Sequence, residues 1–230
     1  MQLKITWKYI LAFIALNFIM GELHEQAHIS TGFFICGCYG PRDFNVWATC
    51  EQCAKPAWAY LATLAGPLFS CSLMWLGATW FSRSANENKR MIGFSLLFAN
   101  LPFARIFTAL LGGGDEKIVV QALMGDTGNS LSSKIMASVV VLLVCLPPML
   151  IAGKKILNKN RLGIVAGFSV IPLVYGMLYQ RIFLNGLLKK NILAETHLLG
   201  TPDLILVHFV LMLLLLILFR KGLLELKKAR

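Results

Sequence analysis

Six long apolar runs constrain this chain more than any other feature. They cover roughly residues 5–29, 57–81, 91–111, 135–152, 162–188 and 204–219, and about 20 mostly apolar residues suffice to cross a bilayer as a helix. Inside lipid only helices and closed barrels satisfy the backbone, and runs this long and apolar do not suit barrel strands. Of the 230 residues 57% are hydrophobic and 14% charged, whereas a soluble domain carries about 25% charged residues. Mean hydropathy is +0.68. The expectation is an all-α, polytopic integral membrane protein with about six transmembrane helices, forming a single domain over 1–230.

The net charge of +11 is a topology signal. Basic residues gather at Arg83, Lys89 and Arg90, at Lys154, Lys155, Lys159 and Arg161, and at Arg220, Lys221, Lys227, Lys228 and Arg230. These groups follow the second, fourth and sixth runs, and Lys4 and Lys8 precede the first, so all fall on one side. By the positive-inside rule that side is cytoplasmic, with both termini there. Nucleic acid is not an expected partner; the lipid bilayer is. The first run resembles a signal peptide in its charge pattern, but it lacks a small-residue cleavage site and is expected to be retained. The short links point to a bacterial inner (plasma) membrane.

The first run ends in Gly21-Glu22-Leu23-His24-Glu25-Gln26-Ala27-His28, which contains H-E-x-x-H. On a helix, positions i and i+4 share a face, so His24 and His28 can reach one metal ion. Glu25 then stands beside the ion, placed to take a proton from water as a general base. Ionisable residues within a membrane helix are costly unless used.

Catalytic zinc takes three protein ligands and keeps one open position. The third ligand is expected from the glycine-rich segment Gly112-Gly113-Gly114-Asp115-Glu116, with Asp115 first and Glu116 as the alternative. That segment falls on the extracytoplasmic side, as do His24 and His28. Glu22, Asn100 and Arg105 are expected to support the site, and Glu22, Asp115 and Glu116 are the candidate partners for the intramembrane Arg105. Glu195 and His197 lie in another outward link, and His208 is expected to be a packing residue. Pro67, Pro147, Pro148 and Pro172 are expected kinks, and Gly125-Asp126-Thr127-Gly128-Asn129 a turn.

The outward link over 30–56 holds Cys36, Cys38, Cys50 and Cys53. Outside the cytoplasm two disulfides are the plain reading, in any of three pairings. A four-thiolate zinc site and a redox pair within C-x-C or C-x-x-C stay open beside it. Cys71 and Cys145, within apolar runs, are expected to pack.

H-E-x-x-H on a first helix, Ala65-Gly66-Pro67-Leu68 on a second, and Asn100 and Pro102 leading to Asp115 together resemble the site-2 protease family of intramembrane metalloproteases. The resemblance covers about the first half of the chain. It implies a Zn2+ cofactor on His24, His28 and Asp115, Glu25 as catalytic base, and membrane-anchored protein substrates. Two features depart from the family pattern: Asp115 is followed by glutamate where glycine is usual, and Ser70 stands where asparagine is frequent. Two readings compete with hydrolysis, a membrane thiol-disulfide oxidoreductase using the outward cysteine pairs and a non-catalytic metal-binding or transport protein.

Overall fold

The structure, a computed structural model, describes residues 1–51, 58–126 and 130–226. Cys53, the three residues Thr127, Gly128 and Asn129 of the expected turn, and the basic residues Lys227, Lys228 and Arg230 lie outside the described residues. The fold is helical, with one short antiparallel hairpin as the sole sheet among the described residues.

Helix α1 (Trp7–Cys36) starts where Thr6 accepts a hydrogen bond from the Tyr9 amide and stops at Gly37, which takes a left-handed conformation. Helix α2 (Tyr60–Arg83) carries Pro67 inside it, and α3 (Glu87–Ala99) is capped by Asn86. Helices α4 (Pro102–Leu110) and α5 (Asp115–Met124) are short, and α6 (Leu131–Lys155) is long and capped by Ser130. Helix α7 (Arg161–Tyr175) passes into a π-helical stretch, Gly176–Leu184, and a last turn, α8 (Asn185–Lys189). Strands β1 (Thr196–Leu198) and β2 (Thr201–Pro202) then lead to α9 (Asp203–Phe219).

Five stretches are long and apolar enough to cross a membrane: Tyr60–Arg83, Glu87–Leu110, Leu131–Lys155, Arg161–Lys189 and Asp203–Leu224. These match five of the six expected runs. The remaining one, α1, is the longest helix at 30 residues, yet it is not apolar enough for that class. Glu22, His24, Glu25, Gln26 and His28 interrupt its last turns. Its placement compensates, because α1 packs against α2, α3 and α9. By contrast only 11% of the apolar window of Arg161–Lys189 or Asp203–Leu224 is buried, which puts those two stretches at the periphery.

The third expected run is two helices. Leu101 takes φ 53°, ψ 50°, and Pro102 starts α4. Proline disfavours the α-conformation in the residue before it, which accounts for a break at this point. Asn100, at the end of α3, turns its amide onto the Leu96 carbonyl at 2.7 Å.

Polar contacts thread the apolar core. Tyr9 Oη meets Ser95 Oγ at 3.0 Å, Asn17 donates to the Ala99 carbonyl at 2.8 Å, and Tyr175 donates to Asn17 at 2.7 Å. Helices α2 and α3 approach closely, where a Cβ on Gly77 would lie 2.7 Å from the Gly93 carbonyl, and one on Gly93 2.7 Å from that of Gly77.

Three segments are tied together at one end. The Met1 amino group donates to the Lys155 carbonyl at 2.6 Å, Leu3 and Asn158 exchange two hydrogen bonds, and the Lys4 amide donates to Leu226. Burial, with Arg90 and Lys155 nearby, lowers the pKa of the Met1 amino group. Among the described residues the N-terminal segment, Arg90 and Lys155 are therefore gathered at one end of the bundle.

Candidate metal centre

His24 and His28 lie one helical turn apart on α1, as H-E-x-x-H requires. Their Nε2 atoms are 3.0 Å apart. Asp115, the first residue of α5, brings Oδ2 to 3.4 Å from His24 Nε2 and 3.5 Å from His28 Nε2. Gly112 and Gly114, at φ 74° and 91°, turn the chain sharply enough to deliver it there. A tetrahedral ion with bonds of about 2.0–2.1 Å separates its ligand atoms by about 3.3 Å, so this triangle fits such an ion. Among the described residues these three form the one His/Cys/Asp/Glu group able to hold a metal ion. Burial raises the Asp115 pKa, but the His24 and His28 rings beside it outweigh burial and hold the carboxyl well below the usual range.

The rings are aimed by α2. His28 Nδ1 sits 2.8 Å from the Ala62 carbonyl. A carbonyl only accepts, so Nδ1 carries the hydrogen and Nε2 presents its lone pair to Asp115 and His24. His24 Nδ1 lies 3.0 Å from Ser70 Oγ, one step further along α2. Between them stands Gly66, where a Cβ would come within 2.6 Å of His24 Cε1 and against the His28 ring as well. The Ala65-Gly66-Pro67-Leu68 motif thus lets α2 approach the imidazoles.

Glu25 is buried, and its Oε2 has no hydrogen-bond partner among the described residues. With His24, Asp115 and Arg105 it lines a cavity of about 650 Å3, within the range of ligand pockets. Arg105 on α4 reaches His24 Nδ1 at 2.8 Å and Glu116 Oε1 at 2.8 Å. Of its three candidate partners Glu116 is therefore the close one. Glu116 is held in that ion pair and stands outside the ligand triangle.

Glu22 does not touch the histidines. It binds Arg42 through two hydrogen bonds of 2.9 Å, and its Oε1 also accepts from Gln26. Gln26 reaches Thr201 in the hairpin at 2.7 Å. Asn100 lines the same cavity, with its Oδ1 buried and without a partner among the described residues. Glu195 and His197 pair with each other, and His197 meets Asp203 at 2.8 Å, so neither belongs to the ligand group. His208 packs against Phe18, Phe44 and Tyr179, as expected.

Residues 37–51 form a strap across the site. Cys38 and Cys50 are paired as a disulfide with Cα atoms 6.2 Å apart. Cys36 is also disulfide-bonded. The Cys38–Cys50 bridge runs across the link rather than within C-x-C or C-x-x-C, and a disulfide sulfur is no thiolate ligand. That bridge is one of the pairings expected of two disulfides. Trp47 stacks on the His28 ring, centroids 5.1 Å apart and planes 17° from parallel. Phe44 seats beside Leu184 and Ile205, with its amide on Asn185 Oδ1 at 3.1 Å. Cys71 and Cys145 are free and lie within the helices, Cys145 fully covered.

Arg42 and Trp47 were not singled out from the sequence. The signal for Arg42 was a buried carboxylate, Glu22, in want of a cation. Comparison with protein-family models, with curated proteins and with solved structures finds no match for this chain.

Proposed function

We infer that the chain is a membrane-embedded zinc metalloprotease, of site-2-protease type, which hydrolyses peptide bonds in membrane-anchored proteins. The observation that carries this reading is the triangle of His24, His28 and Asp115 with an unpartnered Glu25 oxygen in the same cavity. The donor set, two imidazoles and one carboxylate, suits zinc and matches the open-site arrangement of catalytic zinc.

Zinc, when bound, supplies the Lewis acidity that makes water a nucleophile near neutral pH and polarises a carbonyl. The chain does the rest. Glu25 accepts a proton from the attacking water and returns it to the departing amine nitrogen. Ala62 and Ser70 keep the two imidazoles in register, and Trp47 and the strap exclude bulk water from the His28 side.

In this reading α1 spans the bilayer together with the five apolar stretches, shielded by α2, α3 and α9, and both termini are cytoplasmic. His24 lies 17 residues beyond Trp7, about 26 Å along the helix at 1.5 Å per residue, which sets the site toward the extracytoplasmic face. A bacterial plasma membrane accommodates this plan.

The test is metal content and peptide turnover of the purified chain. We expect one zinc per chain, lost in His24→Ala and Asp115→Ala and kept in Glu116→Ala. Glu25→Gln should keep its zinc and lose about 10²–10⁴-fold in turnover. Zinc that survives His24→Ala, or turnover that survives Glu25→Gln, would sink the reading.

A further inference from the structure

His24 Nδ1 has two neighbours and a single hydrogen-bonding position. Ser70 Oγ lies 3.0 Å away and Arg105 Nη2 2.8 Å away. Nη2 also lies 3.5 Å from Nε2, so the guanidinium stands over the face of the ring and off the in-plane axis of Nδ1. Metal ligation needs the lone pair on Nε2 and the hydrogen on Nδ1, and Ser70 Oγ can accept that hydrogen. Arg105 Nη2 then has no in-plane acceptor on His24.

The ion pair with Glu116 uses Nη1 of Arg105, and the side chains are only 13% and 14% exposed. When His24 ligates through Nε2, Nη2 is a donor without an acceptor on the wall of the cavity, and an unmet buried donor is costly. It also lies 3.5 Å from His24 Nε2, the ligating atom itself. An acceptor appears there when a substrate carbonyl is attacked.

Resting on the protease reading, we propose that Arg105 is a further catalytic residue, whose Nη2 donates to the scissile carbonyl oxygen as negative charge develops on it. Water oxygen bonds to the carbonyl carbon, the carbonyl π pair moves onto oxygen opposite Arg105, and the water proton goes to Glu25. The pair then returns, the C–N bond breaks, and Glu25 protonates the nitrogen. Glu116 is a positioning residue that fixes the plane of the guanidinium. A preorganised donor of this kind costs no reorganisation as the charge appears.

The test uses the full chain in proteoliposomes with two readouts. One is zinc affinity by competition with a chelator, and the other is kcat and KM on a quenched fluorescent peptide bearing an apolar segment. The variant Arg105→Gln with Glu116→Gln removes the pair without leaving a buried charge. It should still bind one zinc per chain, because Ser70 Oγ holds the His24 ring in place. Its kcat should fall about 10²–10³-fold, the loss typical of one such donor, with KM within about threefold. Arg105→Lys, keeping the charge without the fork, should recover part of the rate. An unchanged kcat in the zinc-loaded double variant would overturn the proposal. So would a loss that excess zinc restores, since Arg105 would then only prop His24. Wild-type protein that holds zinc yet cleaves no peptide overturns the protease reading, and this proposal with it.

Discussion

At the scale of single residues, the site depends on one missing methyl group. A Cβ at Gly66 would press on both imidazoles, and neither ring can retreat, since His28 is tied to Ala62 and His24 to Ser70. Gly66→Ala should therefore weaken zinc binding about 10–100-fold, the range for disturbed ligand support, while the helices remain formed. Chelator competition alongside circular dichroism would check both halves. Unchanged zinc affinity would mean that α2 can shift away from α1. The sequence made the candidate ligands legible because i, i+4 spacing on a helix is a local rule, and it pointed to Asp115 because that carboxylate follows a run of three glycines. It did not reveal what aims the rings. A backbone carbonyl such as that of Ala62 has no signature in sequence, and Ser70 reads as any small helix residue. Arg105 was visible as a costly charge, but choosing among Glu22, Asp115 and Glu116 needed the three-dimensional path of α4 and α5.

At the scale of elements, apolar length located the five stretches long and apolar enough to cross a membrane, since a bilayer fixes how long such a helix must be. Length said nothing about breaks. The third run reads as continuous although Asn100, Leu101 and Pro102 part it into α3 and α4, and Pro102 was the one hint. The π-helical stretch Gly176–Leu184 was not legible in the sequence. The sequence shows the strap only as a cysteine-bearing link, while a buried ion pair of Arg42 with Glu22 ties it to α1. Arg42 has no exposed side-chain surface and Glu22 only 8%, so Arg42→Ala would strand a buried carboxylate on α1. Breaking such a pair costs about 3–5 kcal/mol. The thermal midpoint in detergent should fall clearly, and Glu22→Gln introduced with it should restore part of the loss by removing the stranded charge. A midpoint that does not move would show that the strap contributes little to stability.

At the scale of the whole molecule, the charge pattern and the hydrogen bonds agree on a polarity. The N-terminal segment, the α6–α7 link and the C-terminal segment are joined at the basic end, while the metal centre sits far along α1 from it. The proposed orientation predicts that Ala85→Cys, in the link between α2 and α3, is labelled by an impermeant maleimide only after the membrane is opened. Glu195→Cys, beside the hairpin, should be labelled in intact cells. Labelling of both from the same side would overturn the topology and the extracytoplasmic placement of the site together.

The stacking of Trp47 on His28 has a practical corollary. An indole lying parallel to a ligand ring, 5.1 Å between centroids, is an emitter held next to the place where ligands exchange. Filling the triangle with a paramagnetic ion such as cobalt would quench that emission, and opening the strap would shift it toward the red as water arrives. Once the other four of the five tryptophans are replaced by phenylalanine, the molecule carries its own optical gauge of occupancy, with no dye attached and no substrate needed.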